Sequence, residues 1–319
     1  MRKILATFLL LSLLSAFTTR SLADEQPNII FILADDHTSQ AWGCYGSRLT
    51  PFFKTPNIDR IAAEGVKLTN SFCTNSICVP SRAAILTGQY GHKSGVKMLS
   101  DSLSPEKDNL AKQLRKLGYT TALVGKWHLK KEPAGFDYWN IIKGQGRYHN
   151  PTMYEMSLAK ENGKTETGTY CSDLFTDSAL NWLKKKRDKK KPFCLMLHFK
   201  ATHEPWDFHP RHAKLYADVQ FPLPEDLHTS HPGPKNTPFA GWPLEILEKR
   251  MVNGGKKYGA PPLNVEGMTP KERREATYQK FLKSYLRCVA AIDENIGRVL
   301  HYLDEEKLEI GRASCRERV

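Results

Sequence analysis

The strongest constraint on the fold comes from runs of apolar residues that alternate with helical patterns along the chain. Residues 28–34 (NIIFILA) and 193–199 (FCLMLHF) are apolar runs of strand length, and residues 119–124 form a third β-rich segment. Such runs are typical of strands that are buried on both faces. Helical patterns of apolar residues cover residues 57–64, 110–117, 174–186 and 276–305. The alternation predicts an α/β fold in which a mainly parallel, mixed sheet is sandwiched between helices.

Two further segments complete this prediction. Residues 66–72 have the composition of another strand, whereas residues 221–270 are dense in proline, glycine and polar residues. The second segment predicts a long loop or an insertion over the active-site face. Ligands of such sheets bind beyond the carboxyl ends of the strands. The polar groups at those ends are Asp35 with Asp36, the segment Lys126–His128, and His203.

Residues 78–88 (CVPSRAAILTG) predict a short helix that begins at a cysteine. Pro80 suits the first turn of a helix, and Gly88 suits its C-terminal stop. The N-terminus of a helix favours an anion, and the Arg82 side chain can reach the same end. Cys78 and Arg82 together therefore predict a site for a tetrahedral oxyanion. The alternative is a buried structural cysteine before an ordinary helix.

These residues resemble the sulfatase signature Cys-x-Pro-Ser-Arg-x-x-x-Leu-Thr-Gly, with every fixed position present. Residues 118–128 (GYTTALVGKWH) resemble the second sulfatase signature, and residues 201–206 (ATHEPW) are similar to the family's shorter Ala-x-His-x-Pro segment. On these motifs, the chain resembles the N-terminal part of a formylglycine-dependent type I sulfatase of the alkaline-phosphatase-like superfamily. The resemblance implies that a formylglycine-generating enzyme oxidises Cys78 to 3-oxoalanine (formylglycine), an aldehyde that hydrates to a geminal diol.

A divalent metal follows from the adjacent carboxylates and from the resemblance. Two negative charges at the end of a buried strand repel each other and need a cation, and oxygen ligands favour Ca²⁺ or Mg²⁺. A solvated turn is the alternative for Asp35 and Asp36. The resemblance implies that Asp35, Asp36 and an oxygen of formylglycine at position 78 bind the metal, usually Ca²⁺. It also implies two further ligands after a strand beyond Leu308.

The resemblance further implies roles for the remaining motif residues. Arg82 and Lys126 would neutralise charge on the nucleophile and the sulfuryl oxygens, His203 would protonate the leaving alcohol, and His128 would remove a proton so that sulfate is expelled. Outside these motifs, Gln145 lies in a glycine-rich loop between Gly144 and Gly146, and we expect it to bind substrate together with Lys126 and His203. A plain turn is the alternative for this loop.

The motifs predict hydrolysis of sulfate esters, and the segment 135–146 resembles exported bacterial sulfatases that act on sulfated polysaccharides. Some of those enzymes remove 6-sulfate from amino sugars. One rival is a phosphomonoester or phosphodiester hydrolase of the same superfamily, because phosphate and sulfate esters share their shape. Another is an inactive, glycan-binding relative.

The two ends of the chain predict export and an incomplete domain. Residues 1–23 read as a signal peptide, with a basic start, an apolar run and small residues before the cleavage point, so we expect a periplasmic or secreted protein without stable membrane insertion. A retained anchor is the alternative. Residues 24–308 would be the N-terminal part of the catalytic domain, with a smaller C-terminal domain missing. Residues 309–319 resemble a translated sequencing adapter and are expected to be an artefact.

The charge of +13 is concentrated partly in residues 184–191, a Lys/Arg run. A solvated loop explains this run, and attraction of a polyanionic substrate is the alternative. Nucleic acid is disfavoured as a partner because no basic motif is interleaved with aromatic residues. Of the seven cysteines, Cys78 is assigned to chemistry and Cys315 to the doubtful tail; the other five indicate no disulfide framework, although one pair could form.

Overall fold

The centre of the fold is a six-stranded sheet with the strand order β1-β6-β2-β3-β4-β5. It is seen in a computed structural model that describes residues 26–158, 163–229, 244–253 and 261–308. The predicted signal peptide and the predicted artefact, residues 309–319, lie outside these residues. The strands are β1 Ile29–Leu33, β2 Thr120–Lys126, β3 Tyr138–Ile142, β4 Thr152–Glu155, β5 Lys164–Thr165 and β6 Phe193–His198.

Strands β1, β6, β2 and β3 pair in parallel, and β4 and β5 extend the sheet antiparallel beyond β3. All six residues of β6 are buried, as are six of the seven residues of β2. A strand that is buried on both faces must be apolar on both faces, which is why the runs at 119–124 and 193–199 identified β2 and β6. The apolar run at 28–34 identified β1, in which Leu33 is buried and the other four residues are half-buried. The predicted mainly parallel, mixed α/β sheet is confirmed.

Helices cover both faces of this sheet. The α-helices of the described residues are α1 Pro56–Glu64, α2 Cys78–Thr87, α3 Gly91–Ser94, α4 Leu110–Lys116, α5 Cys171–Asn181, α6 Leu244–Asn253 and α7 Pro270–Glu305. On one face, α2 packs through Val79 and Ala83 into a cluster with Cys194 and Met196 of β6. On the other face, α5 and α7 join a cluster with Leu195 and Leu197 of the same strand. Alternate residues of β6 therefore contact the two helical layers.

The long helix α7 begins six residues before the predicted start at residue 276. Thr269 and Glu272 form a capping box, in which each side chain bonds the backbone N–H of the other, and Pro270 occupies the first turn. This arrangement satisfies N–H groups that the helix itself leaves unpaired. The cap therefore stabilises the polar first turns of α7. The apolar stripe in the sequence identified only the buried part of the helix, which is why the predicted start was too late.

The strand predicted at residues 66–72 is wrong. It does not form beyond an isolated bridge at Val66, and Val66 and Phe72 are 67% and 80% exposed. In the predicted helix at residues 110–117, Leu114 is buried, whereas Leu110 and Leu117 are exposed. Residues 221–270 were expected to be a long loop or an insertion, and they include helix α6. Apolar composition alone does not determine pairing, because a strand also needs a neighbour with which to bond.

Candidate active site

The parallel register brings the predicted polar groups to one edge of the sheet. His198, the last residue of β6, pairs with Leu33 at the end of β1 and with Gly125 in β2. Asp35, Lys126 and His203 follow these positions closely along the chain. Gly125 has φ +104°, and a Cβ there would lie 2.0 Å from the carbonyl oxygen of His198. Only glycine allows β2 to approach β6 so closely at this edge.

Cys78 is the first residue of α2, as predicted, and Gly88 ends this helix in a left-handed conformation. The N-cap residue of α2, Ile77, makes no side-chain hydrogen bond to the helix. Burial raises the pKa of the Cys78 thiol, and the opposing effect of Lys126 does not compensate. The thiol is therefore protonated at neutral pH and is a poor nucleophile as cysteine.

Asp35 joins two cations at the centre of the site. Its carboxylate contacts Lys126 Nζ, and its other oxygen lies 3.3 Å from an Nη atom of Arg82. All three side chains are at most 5% exposed. Burial alone would raise the pKa of Asp35, but the charges of Lys126 and Arg82 hold it well below its usual range. The cluster therefore has two buried cations and one carboxylate, an arrangement that suits an anion beside it.

Asp36 and His203 lie next to this cluster. Asp36 has φ 55° and is half-exposed, and burial together with the negative charge of Asp35 raises its pKa. The Nε2 atom of His203 lies 3.6 Å from a carboxylate oxygen of Asp36, and its Nδ1 atom donates to the carbonyl oxygen of Glu204 at 2.8 Å. Burial and Lys126 lower the pKa of His203. The carboxylates of Asp35 and Asp36 act in the opposite direction and raise the pKa of His203. The predicted role of His203 as an acid therefore depends on these two carboxylates.

His128 follows β2 with φ 60° and is half-buried. Burial, with the charges of Lys126 and Arg82, lowers the pKa of His128 to about 4. Its Nδ1 atom is buried and has no hydrogen-bond partner within the described residues. A neutral imidazole with a free ring nitrogen can accept a proton, as the predicted role of His128 requires.

The structure also brings Gln145 to the site. Its Oε1 atom accepts a 2.7 Å hydrogen bond from Lys126 Nζ. Gly144 and Gly146 have φ of 59° and 62°, which shapes the loop that carries Gln145. Gln145 therefore orients the lysine amine; direct substrate binding by Gln145 stays a prediction.

Four residues near the site were missed by sequence reasoning. His198 contacts Arg82, and Tyr285 of α7 bonds the backbone around Asp36. Tyr148 donates a hydrogen bond to the carbonyl oxygen of His203. Lys200 is buried, burial lowers its pKa to about 8, and its Nζ atom lies 4.9 Å from the centre of the Tyr148 ring. The available signals were His198, a polar residue within the apolar run at 193–199, and Lys200, which directly follows that run.

Asp35 and Asp36 fit part of a metal site. Carboxylate oxygens suit Ca²⁺ or Mg²⁺, and burial, together with the negative charge of Asp35, raises the pKa of Asp36. Ca²⁺ takes about six to eight oxygen ligands. In the part of the chain that the structure describes, no three His, Cys, Asp or Glu side chains form a group that could hold a metal ion. The two carboxylates are therefore a partial ligand set.

The basic run at residues 184–191 lies near the N-terminal end of β6, whereas the site lies at the C-terminal end of that strand. It precedes Phe193, the first residue of β6, whereas the site follows the last residue of the same strand. Lys186 pairs with Glu155, and Lys184 Nζ lies 5.3 Å from the centre of the Tyr302 ring. This placement does not favour direct attraction of a substrate into the site.

Comparisons with known proteins agree with this geometry. Residues 27–310 match the family model described as Sulfatase. An N-acetylglucosamine-6-O-sulfatase of Bacteroides thetaiotaomicron is 36% identical over 334 residues, which cover 92% of this chain and 58% of the relative. The chain thus spans little more than half the length of this relative.

None of the described helices has the length and hydropathy that crossing a bilayer needs.

Solved structures show the same fold. A protein in complex with its substrate, D-glucosamine-2-N,6-O-disulfate, is similar with a TM-score of 0.75 and 35% identity, covering 89% of this chain and 63% of that one. The phosphonate monoester hydrolase of Agrobacterium radiobacter has a TM-score of 0.59 at 17% identity, covering 88% and 60%, and this likeness concerns the fold alone.

Proposed function

Because this chain belongs to the sulfatase family, we propose that it hydrolyses sulfate esters at the site around Cys78. The observation that carries this proposal is the convergence of Arg82 and Lys126 on Asp35, with Cys78 at the N-terminus of α2 within their electrostatic reach. Two buried cations beside a helix N-terminus form a binding site for a tetrahedral anion. A sulfate ester fits both the charge and the shape of that site.

We propose a sulfated carbohydrate as the substrate, with 6-O-sulfated glucosamine as the first candidate. The support is the 36% identity with an N-acetylglucosamine-6-O-sulfatase and the likeness to a structure that binds D-glucosamine-2-N,6-O-disulfate. The +13 charge of the chain agrees with an anionic substrate. Sulfate release from N-acetylglucosamine 6-sulfate, compared with its 3-sulfate isomer, tests the position of the ester.

The proposed nucleophile derives from Cys78. Formylglycine at this position, made from the cysteine by a formylglycine-generating enzyme, would supply a hydrated aldehyde as the nucleophile toward sulfur, and the alcohol would leave that sulfur with a proton from His203. The buried thiol itself has a raised pKa, which does not favour thiolate chemistry. Mass spectrometry of the peptide that contains residue 78 tests the conversion, since an unmodified thiol in an active preparation would contradict it.

The other side chains of the site bind the sulfate and move protons. Arg82 and Lys126 hold the sulfate oxygens, and Gln145 keeps the Lys126 amine in place. His128 is neutral at neutral pH and accepts a proton, whereas His203 delivers one to the leaving alcohol. Asp35 and Asp36 would hold Ca²⁺ or Mg²⁺, which, when bound, supplies a Lewis acid for the sulfate oxygens.

Phosphate ester hydrolysis is the competing function, since the fold also occurs in a phosphonate monoester hydrolase. The rates on an aryl sulfate, an aryl phosphate monoester and an aryl phosphate diester separate the two. We expect the sulfate ester to have the highest kcat/KM. A higher kcat/KM for either phosphate ester would replace the proposal. A folded, formylglycine-bearing protein that binds sulfated glycans without turnover would show an inactive relative.

A further inference from the structure

His198 lies behind Arg82, on the side of the sheet that α2 covers. It is 2% exposed, and its Nδ1 atom lies 3.3 Å from an Nη atom of Arg82. The same Nη atom donates a 2.7 Å hydrogen bond to the carbonyl oxygen of Lys126. The other Nη atom lies 3.3 Å from Asp35. The guanidinium is thus held by a carboxylate, a carbonyl oxygen and an imidazole nitrogen.

The protonation state of His198 follows from its neighbours. The Nδ1 atom of His198 lies 3.3 Å from the Arg82 Nη atom and also 3.3 Å from the carbonyl oxygen of Lys126. A guanidinium only donates hydrogen bonds, so the contact with Arg82 requires the tautomer in which Nδ1 is an unprotonated acceptor. Burial and the charge of Arg82 lower the pKa of His198 to about 3, which keeps the ring neutral. In that tautomer the proton of the neutral ring is on Nε2, a buried atom that has no hydrogen-bond partner in the described ranges.

That unpartnered Nε2 makes His198 a costly residue for packing alone. Cys194 and Met196, on the same strand and the same face, are buried in the apolar cluster, and Phe31 packs edge-on against the His198 ring. A buried polar group without a partner is unfavourable, so an apolar residue would fill this place at lower cost. The contact between Nδ1 and Arg82 gives a reason for the imidazole.

An uncharged acceptor differs from a carboxylate in one important way. A second carboxylate at this place would fix the guanidinium but would also cancel its charge, because Arg82 already faces Asp35. A neutral imidazole fixes the guanidinium and leaves its charge available to an anion. We propose that His198 is a positioning residue that holds Arg82 in its sulfate-binding orientation without neutralising it. The proposal rests on the proposed function of Arg82 in binding sulfate.

Four variants test this inference. His198→Asn keeps an acceptor at the place of Nδ1, His198→Phe keeps the ring without an acceptor, and His198→Asp adds a negative charge. Met196→Leu is the matched control, since it replaces one buried apolar residue of the same strand and face with another of similar volume. Each variant is assayed for kcat and KM with an aryl sulfate after maturation, and for affinity to inorganic sulfate by titration calorimetry.

We expect His198→Phe to lower kcat/KM and sulfate affinity by about ten- to a hundred-fold, as loss of a hydrogen bond to a charged group does. His198→Asn should stay within about threefold of the wild type, and Met196→Leu should be unchanged. His198→Asp should raise KM and weaken sulfate binding at least as much as His198→Phe.

Equal losses in His198→Asn and His198→Phe would show a packing role and overturn the inference, as would a His198→Phe protein that matches the wild type. If His198→Phe does not fold, the comparison of His198→Asn with His198→Asp decides, because equal sulfate affinity in those two would overturn the inference. A wild type that binds sulfate but does not hydrolyse the ester would contradict the proposed function alone, and the sulfate affinities would still test His198.

Discussion

The hydroxyl of Tyr285 donates a 3.0 Å hydrogen bond to the carbonyl oxygen of Asp36, which lies 249 residues away in the sequence. The same hydroxyl accepts a 2.8 Å hydrogen bond from the backbone N–H of Thr38. A single side chain of the long helix α7 thereby fixes the loop that carries the two carboxylates. The packing of α7 against the sheet thus helps to shape the site.

Replacing Tyr285 with phenylalanine removes both hydrogen bonds while keeping the ring. We expect the free energy of unfolding to fall by about 1–3 kcal/mol, because the carbonyl and the N–H lose a partner in a partly buried place. We also expect kcat/KM to fall several-fold, since Asp36 is no longer fixed. Tyr278→Phe is the control, because its hydroxyl bonds Arg48, away from the site. A similar loss of activity in Tyr278→Phe would contradict a local role for Tyr285.

Removing Lys126 leaves Asp35 with one cation fewer in a buried place. We expect Lys126→Met to lower the free energy of unfolding by about 1–3 kcal/mol, because the Asp35 carboxylate loses the hydrogen bond from Lys126 while Arg82 still balances its charge, and to abolish turnover. Adding Asp35→Asn should cost less stability in this variant than in the wild type, because the pair with Lys126 is already broken, and it should restore no activity. Urea denaturation of the two single variants and the double variant measures this coupling. Additive losses in the double variant would show that the two side chains do not interact.

The pair Asp173–Arg211 predicts a loss of stability in acid. Burial alone would raise the pKa of Asp173, but hydrogen bonds from Arg211 and Asn295 lower it below 3.8. Its stabilising contribution is therefore complete above the unfolded pKa and is lost as the pH falls through the folded pKa. Asp173→Asn should lower the free energy of unfolding at pH 7 by about 1–2 kcal/mol. The free energy of unfolding of this variant should also fall less between pH 5 and pH 3 than that of the wild type.

Asp304→Asn is the control for Asp173, because Asp304 is an exposed partner of Arg60 and exposed ion pairs contribute little to stability. Urea denaturation at pH 7, 5 and 3 gives the comparison. An Asp173→Asn variant with the same acid dependence as the wild type would show that other carboxylates cause the loss.

Gly125→Ala tests the close approach of β2 and β6. The new Cβ would meet the carbonyl oxygen of His198 at 2.0 Å, in a backbone conformation that L-residues rarely adopt. Gly118→Ala has a positive φ as well, but nothing lies within 4 Å of its Cβ. We expect Gly125→Ala to lose at least about 2 kcal/mol more than Gly118→Ala, since the added clash must be relieved by moving a strand. Equal losses would show that backbone strain alone determines the cost.

The sequence predicted the parts of the fold that burial alone determines. Strands β2 and β6 are buried on both faces, and β1 is half-buried but apolar throughout, so their apolar runs were visible. The parallel arrangement then placed Asp35, Lys126 and His203 at one edge. Strands β3, β4 and β5 were not predicted, because several of their residues are half-exposed or exposed and their sequences are mixed.

The contacts that hold the site in place were beyond sequence reasoning. Tyr285 belongs to the apolar stripe of α7, so its hydroxyl gave no signal of a bond to Asp36. His198 is one polar residue in a buried strand, and its contact with Arg82 depends on how α2 packs against β6. The apolar residues at 66–72 led to the prediction of a strand that does not form, because these residues are largely exposed. Local patterns indicate burial, whereas these contacts depend on tertiary packing.

We propose that this chain hydrolyses the 6-sulfate ester of N-acetylglucosamine through residue 78. The most direct measurement is inorganic sulfate released from N-acetylglucosamine 6-sulfate, detected by ion chromatography. The protein is produced together with a formylglycine-generating enzyme, and Cys78→Ala is measured beside it. We predict that the wild-type protein releases sulfate and that Cys78→Ala releases none. Equal sulfate release by both proteins, or none by a wild-type protein whose residue-78 peptide carries formylglycine, would contradict the account.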